Sequence, residues 1–378
     1  MGVEPSADPA SLRRAYRKLA QKYHPDINPD PTSHDQMARI NQAFETLIDP
    51  VRRMEYDALL AGGLRLDADP PQRHEAPKPV QVRLLQRIRA HRTPVYGLSF
   101  VPDSHVVVTS AFDNELASWD VGSGAVLRRM KVEGGALSTI RALGRERIVA
   151  AGSSENQVTL AQIGKGGAAS TRTALTHWVS ALSISPDGLA VATGSVQKEL
   201  AVLSLATGSR LYARYDHTAS VTAVAWAGDG ELLATGSADA TVKLRHGASG
   251  AVLHTFTGVR SAVTAIAFSP DGRFLAVAGV DYSVRVFRLS DGMLQKVMFG
   301  HSKPIECLAF HPNGWLFASG GRDGSVNLWN AAQGIGQLHL EASHRPISNV
   351  VFSSDGLLMA ASGLDKTLRI WSIETSTK

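Results

Sequence analysis

The chain has 378 residues, 44% of them hydrophobic and 19% charged, with a formal net charge of +5. That is the composition of an ordinary globular protein, long enough for two or three average domains or for one small and one large. No apolar run approaches the ~18–20 residues that cross a bilayer, the N-terminus lacks the apolar core of a secretory signal, and the single cysteine, Cys307, excludes an internal disulfide and a cysteine-based zinc site. A reducing cytoplasm is the expected compartment.

The charge is unevenly placed. Residues 1–60 carry 8 Lys/Arg and 9 Asp/Glu, residues 61–95 carry 7 and 3, and the remainder 24 and 22. The bulk of the chain is nearly neutral, which argues against a nucleic-acid footprint. The basic stretch RLLQRIRAHR (83–92) reads as a solvated strand face.

The first predicted element is a helix opening at Asp8-Pro9, an N-cap followed by proline at the first helical position. Leu12, Ala15, Leu19 and Tyr23 form its apolar stripe, with Tyr16 and Ala20 at the border. Its other face carries Arg13, Arg14, Arg17, Lys18 and Lys22, and residues 9–25 contain no acid. Pro25, in the tripeptide His24-Pro25-Asp26, ends the helix, because the residue before proline disfavours helical dihedrals. A second helix starts near Ser33, with Gln36 completing a capping box, and its stripe is Met37, Ile40, Phe44, Leu47 and Ile48. Asp49-Pro50 closes it and opens a short third helix over 51–60.

This hairpin resembles the J-domain (DnaJ-type) co-chaperone family: LRRAYRKLAQKYHPDIN followed by ARINQAFETLIDPVRRMEYD carries the basic helix, the His-Pro-Asp loop and the Asp-Pro…Tyr-Asp closure together. The resemblance implies docking on a DnaK-type (heat-shock 70 class) chaperone and stimulation of its ATPase. It implies that Asp26 accepts charge-assisted bonds from a partner arginine, that Pro25 sets the direction of the loop, and that His24 offers a donor and an acceptor at the tip. Arg13, Arg14, Arg17 and Lys18, with Tyr16 and Asn28 beside them, would face an acidic patch of the chaperone. Five cations without a compensating acid fit a solvated helix face less well than a docking face. The family normally carries a short helix before a Leu-Gly pair, whereas this chain begins Met1-Gly2-Val3. The domain is therefore expected over 1–60 without its first helix, through an upstream start codon, a weakened domain or cover from the rest of the chain; a misplaced start is the favoured expectation. Residues 61–79, rich in Gly, Pro and charge, read as a flexible linker. The Gly/Phe segment and CxxC module of general DnaJ proteins do not follow it.

From residue 80 the period changes to two and a repeat appears. Turn aspartates fall at Asp113, Asp239, Asp281, Asp323 and Asp365, spaced 126, 42, 42 and 42 residues apart, with two further registers at Glu155 and Gln197. Trp119, Trp329 and Trp371 share one column, and Phe100, Trp226, Phe268, Phe310 and Phe352 share another. Each unit reads as four short antiparallel strands broken by Asp-Gly-type turns. These units resemble the WD-repeat family, which implies a seven-bladed β-propeller over 80–378, with strand 80–89 completing the last blade and leaving no free edge at the join.

His301, Ser319 and Asp323 have the composition of a catalytic triad, yet the set recurs as His91, Thr109, Asp113 and as His217, Thr235, Asp239. A site copied at the repeat pitch is structural. The resemblance implies that these residues, with Trp119, Trp329, Trp371 and Asp365, form hydrogen-bonded networks within the blades. Units in which this pattern degrades, including the one with Arg245 in place of the tryptophan, are expected to rely on apolar packing alone. Trp178, in a loop beside His177, reads either as an exposed anchor for a partner or as a packed loop aromatic.

No metal-ligand spacing, phosphate-binding loop or nucleophile elbow is present, so no enzyme activity, cofactor or metal is expected. The expected function is that of a co-chaperone whose propeller selects a protein client or a location. The alternative is a propeller scaffold whose truncated J-like segment no longer stimulates ATPase.

Overall fold

In a computed structural model of the chain, the described residues are Leu12, Ala15, Tyr16, Leu19 and Leu47, and residues 80–375 apart from 133–136, 143–146, 153–156, 163–168 and 175–176. The chain divides into two compact units, Met1–Pro77 and Lys78–Lys378, with the division inside the stretch read as a linker.

In the first unit, Leu12, Ala15, Tyr16, Leu19 and Leu47 are all helical. Leu12 is buried and the other four are half-buried. Spacings of three and four residues on the first helix put these side chains on one face, as the apolar stripe requires.

The second unit is built of seven four-stranded antiparallel sheets. Blade 1 comprises Val95–Phe100, Val106–Ala111, Glu115–Asp120 and Val126–Lys131. Blades 2 to 6 repeat the pattern from Leu137, Val179, Val221, Val263 and Ile305. Blade 7 takes Ile347–Phe352, Leu358–Gly363 and Thr367–Glu374, and its outermost strand is Gln81–Arg89, which pairs antiparallel with Thr367–Glu374. The innermost strands touch in cyclic order, that of blade 7 meeting that of blade 1. The two ends of the unit are thus stitched together by a complete ladder from Gln81↔Glu374 to Arg89↔Thr367, with an irregularity between Leu84 and Gln86. Arg83, Arg87 and Arg89 are exposed along this strand, a solvated face as the sequence suggests.

The core lies between successive blades, where one sheet face packs on the next. Trp371, Ile373 and Val80 bury against Leu316, Val326 and Leu328 of blade 6, and Phe287 of blade 5 packs on Val242, Leu244 and Phe256 of blade 4. Middle strands are buried on both faces, as in Leu316–Gly321, so they read as unbroken apolar and small-residue runs.

The conserved-register aspartates have a local cause. Asn114, Lys198, Ala240, Tyr282, Gly324 and Lys366 sit at one register of the repeat, and all have φ between 62° and 84°. An L-residue resists that conformation. The preceding aspartate compensates by accepting a hydrogen bond from the N–H two residues on: Glu115 to Asp113 at 3.2 Å, Thr241 to Asp239 at 2.9 Å, Ser325 to Asp323 at 3.0 Å and Thr367 to Asp365 at 3.1 Å. At Gly324 even alanine is excluded, since a Cβ would lie 1.9 Å from the Ser343 carbonyl oxygen.

Candidate functional site

The residues expected to touch a chaperone, Arg13, Arg14, Arg17, Lys18, His24, Pro25, Asp26 and Asn28, lie outside the described residues. Tyr16, the remaining one, is helical and half-buried. Among the described residues, the polar constellations found in the sequence can be followed atom by atom in the propeller.

In blade 6, Trp329 Nε1 donates to Ser319 Oγ at 2.8 Å, Ser319 Oγ lies 2.7 Å from His301 Nε2, and His301 Nδ1 lies 3.0 Å from Asp323 Oδ2. A carboxylate only accepts, so Nδ1 carries the proton and Nε2 receives the serine hydroxyl. Asp323 also accepts from the Ser302 N–H at 2.8 Å. In blade 1, Trp119 donates to Thr109 at 2.9 Å, Thr109 lies 2.8 Å from His91 Nε2, and His91 Nδ1 lies 3.3 Å from Asp113. His91 and His301 are buried, and burial pushes the pKa of each below the ordinary histidine range. A serine whose hydroxyl already accepts an indole N–H and donates to a buried imidazole is no free nucleophile. These sets are blade ties, and Trp329→Phe is expected to lower stability by about 1–2 kcal/mol through loss of the shared donor, read as a fall in the urea midpoint at unchanged m-value.

Blade 4 departs from expectation. Arg245, which stands where tryptophan does elsewhere, is fully buried and does not leave the blade to apolar packing. Its Nε donates to Thr235 Oγ1 at 3.0 Å, taking the place of the indole, and Nη1 and Nη2 grip both oxygens of Asp216 at 2.8 and 2.6 Å. Thr235 lies 2.9 Å from His217 Nε2, and His217 Nδ1 lies 3.1 Å from Asp239. The expected tetrad is complete with arginine as its fourth member. The reason is steric as well as electrostatic: at the position of Asp216 the other tetrad blades carry Ala90 and Gly300, and a Cβ on Gly300 would lie 2.7 Å from the Trp329 ring. Without the indole there is room for a carboxylate.

Blade 7 requires a second correction. Trp371 belongs to no such network, because Ala361 occupies the hydroxyl position and Ser343 the histidine position; Trp371 buries in the apolar cluster with Met359 and Ile373. Asp365 is held instead by Arg369, four residues on, at 2.5 Å and by the Ser343 hydroxyl at 2.9 Å. Blade 5, with Val259 in the histidine column, uses the same device, Arg285 donating to Asp281 at 2.7 Å. Both arginines are buried. Where histidine is present, that register carries Ala117, Lys243 or Asn327. A column comparison of the fourth residue after each aspartate would have revealed this exchange. In blade 3, the buried Glu199 accepts from the Tyr215 hydroxyl at 2.6 Å and pairs with Arg210 at 3.2 Å, another polar tie where apolar packing alone was expected. Trp178 is half exposed and stands outside these networks.

The networks set a pH dependence. Burial lowers the pKa of His91, His217 and His301 from the ordinary 6.5, so the unfolded chain binds more protons than the folded one once pH falls below about 6.5. Burial opposes ionisation of Asp239 and Asp323, but hydroxyl and N–H donors, with the neighbouring histidine, outweigh it and hold both below the ordinary 3.8. Stability is therefore expected to be level above pH 7, to decline from about pH 6.5 downward as the histidine contribution is lost, and to fall again below about pH 4 as the aspartates protonate. Urea midpoints across pH 3–8 check this, and His301→Gln should shallow the first decline.

Comparison with known families agrees with this organisation. Residues 1–57 match the DnaJ domain, and residues 82–120, 208–245, 250–288, 292–330 and 337–372 match the WD domain, G-beta repeat, which by itself covers about half of the chain. The unmatched stretch 121–207 covers most of blades 2 and 3, which lack the histidine, aspartate and tryptophan of the tetrad. The N-terminal stretch is 50% identical over 64 residues to the chaperone protein DnaJ of Acaryochloris marina (strain MBIC 11017), 17% of each chain. It is 49% identical over 61 residues to chaperone protein DnaJ 1 of Aquifex aeolicus (strain VF5), 16% of this chain and 17% of that one. The chain thus spans about one sixth of the length of these relatives.

Proposed function

We propose, for a chain that belongs to the WD-repeat family and opens with a DnaJ domain, that it is a co-chaperone which docks on a DnaK-type chaperone in the cytoplasm, stimulates its ATPase and delivers to it a protein held by the propeller. The observation that carries this reading is the His24-Pro25-Asp26 tripeptide, with the acid-free cationic stripe of Arg13, Arg14, Arg17 and Lys18 before it, inside the stretch matched by the DnaJ family. Hydrolysis belongs to the chaperone; this chain supplies orientation and charge. Asp26 offers a carboxylate for a charge-assisted bond with a partner arginine, and the cations steer encounter with an acidic surface.

The propeller suits the second task. Its ring is closed by the strand Gln81–Arg89, so no sheet edge is left open at the join, and its histidine–aspartate sets are engaged within blades. Recognition then falls to the loops and the exposed faces, where side chains such as Trp178 stand in solvent. Steady-state ATP hydrolysis by a DnaK-type chaperone, measured with and without the full chain, tests the reading. Stimulation supports it; binding without stimulation would make the chain a scaffold, and neither would remove the chaperone from its function.

A further inference from the structure

Among the described residues, His91, Asp113 and Glu115 of blade 1 form a cluster whose donor atoms all lie within 4.8 Å of one another. His91 stands in the loop before strand Val95–Phe100, Asp113 in the turn before strand Glu115–Asp120, and Glu115 opens that strand. The sequence showed no metal-ligand spacing because the three come from separate elements that only the folded blade brings together.

Two observations set this cluster apart from its equivalents in blades 4 and 6. In those blades the register of Glu115 holds a hydroxyl, Thr241 or Ser325. Each hydroxyl lies 3.0 Å from the histidine Nδ1 and donates to the aspartate, at 2.6 Å in blade 4 and 2.7 Å in blade 6. An ionised carboxylate cannot donate, so blade 1 sets a second acceptor beside the imidazole where the other two set a hydroxyl. The second observation lies on His91 itself. Its side chain is fully buried, yet Nδ1 makes no hydrogen bond, since Asp113 Oδ1 stands 3.3 Å away without the alignment that a bond requires.

The far side of the ring fits the same reading. His91 Nε2 lies 2.8 Å from Thr109 Oγ1, which accepts the Trp119 N–H and has the Ala117 carbonyl 3.5 Å away to donate to. With the hydroxyl turned to that carbonyl, Nε2 carries the imidazole proton and Nδ1 presents a lone pair to two carboxylates. A metal-bound histidine has this form, its other N–H held by an outer partner. Asp113 also keeps capacity for a ligand bond. The Arg92 N–H reaches it at 3.3 Å, whereas the N–H groups of Thr218 and Ser302 meet Asp239 and Asp323 at 2.8 Å.

We propose that His91 Nδ1, Asp113 and Glu115 bind a divalent transition metal of the zinc class, which ties the loop to the turn as the Thr241 and Ser325 hydroxyls do in their blades. One imidazole nitrogen and two carboxylates suit zinc and leave a position for water, while Mg2+ and Ca2+ prefer oxygen throughout. A cation adjoins the site: Arg129 Nη1 donates to Glu115 Oε2 at 3.3 Å and Nη2 to the Ala90 carbonyl at 2.7 Å. Arg129 therefore competes with a metal for Glu115. The site is independent of chaperone docking, since its residues all belong to the propeller.

Calorimetric titration and thermal unfolding of the full chain with Zn2+, and absorption spectra with Co2+, test the proposal. The wild type is expected to take up zinc at this site and to unfold at a higher temperature in its presence. Glu115→Thr copies the residue of blade 4, so it should fold, lose the zinc-induced rise in unfolding temperature, and bind more weakly by at least the ~10–100-fold that losing even an outer-shell partner costs. Glu115→Gln, closer in shape, repeats the measurement if the threonine variant folds poorly. Arg129→Gln should tighten zinc binding, a change that a purely structural ion pair does not produce. No zinc uptake by the wild type, binding undiminished in both Glu115 variants, or a thiolate charge-transfer band in the cobalt adduct, which would move the metal to Cys307, would each overturn the site.

Discussion

His24→Gln is expected to reduce stimulation of a DnaK-type ATPase by ~10-fold or more, in the manner of a hot-spot residue at the centre of an interface. Glutamine keeps one donor and one acceptor, but it carries them on a flexible chain where imidazole holds them on a rigid ring. The docking geometry is then lost while the overall charge is kept. The cationic stripe should behave differently. Neutralising Arg13 and Arg17 together is expected to weaken stimulation at low chaperone concentration, and the remaining wild-type stimulation should decline with added salt, since exposed charges act over a Debye length of about 8 Å at physiological ionic strength. Saturating chaperone should largely restore the rate of the Arg13/Arg17 variant but not that of His24→Gln. Equal stimulation by His24→Gln and wild type would remove the tripeptide from the mechanism.

The largest stability effect is expected in blade 4. Asp216→Ala leaves Arg245 fully buried with its two strongest contacts gone. Breaking a buried pair from one side costs about 3–5 kcal/mol, and about 2–3 kcal/mol is expected here because the Asp216 side chain is 36% exposed. The double variant Asp216→Ala, Arg245→Trp copies the Ala90 and Trp119 arrangement of blade 1, whose His91, Thr109 and Asp113 have the same identities as His217, Thr235 and Asp239. It should recover most of the loss, because the indole N–H replaces Nε as donor to Thr235. Urea unfolding of the two single variants and the double closes the cycle; strict additivity would mean that Arg245 and Asp216 are not coupled.

The repeat made the propeller legible. A 42-residue pitch, turn aspartates and alternating strands specify short antiparallel sheets, since each local signal repeats and all agree. The closing role of the strand near residue 80 was legible too, because its alternation precedes His91 just as the outer strand of blade 5 precedes His301. The blade ties were read only in part. A missing tryptophan or histidine looked like a missing network, whereas the position was filled by a residue of different shape offering the same donor. Arg245 for the indole and Arg285 or Arg369 for the imidazole are such exchanges, and the histidine column read alone does not show the last two, because Arg285 and Arg369 come from another register, the fourth residue after each aspartate.

The sequence by itself determined the order of the two domains, the strand pattern, the aspartate turns and the tripeptide that points to a chaperone, since each depends on residues within a few positions of one another. Only the tertiary structure decided which polar groups are partnered. Asp216 meets Arg245 across 29 residues, and the Ser348 hydroxyl of blade 7 donates to the Val95 carbonyl of blade 1 from 253 residues away. Such pairings arise because the ring brings segments distant in sequence side by side, and burial there turns an ordinary arginine such as Arg245 into a blade tie.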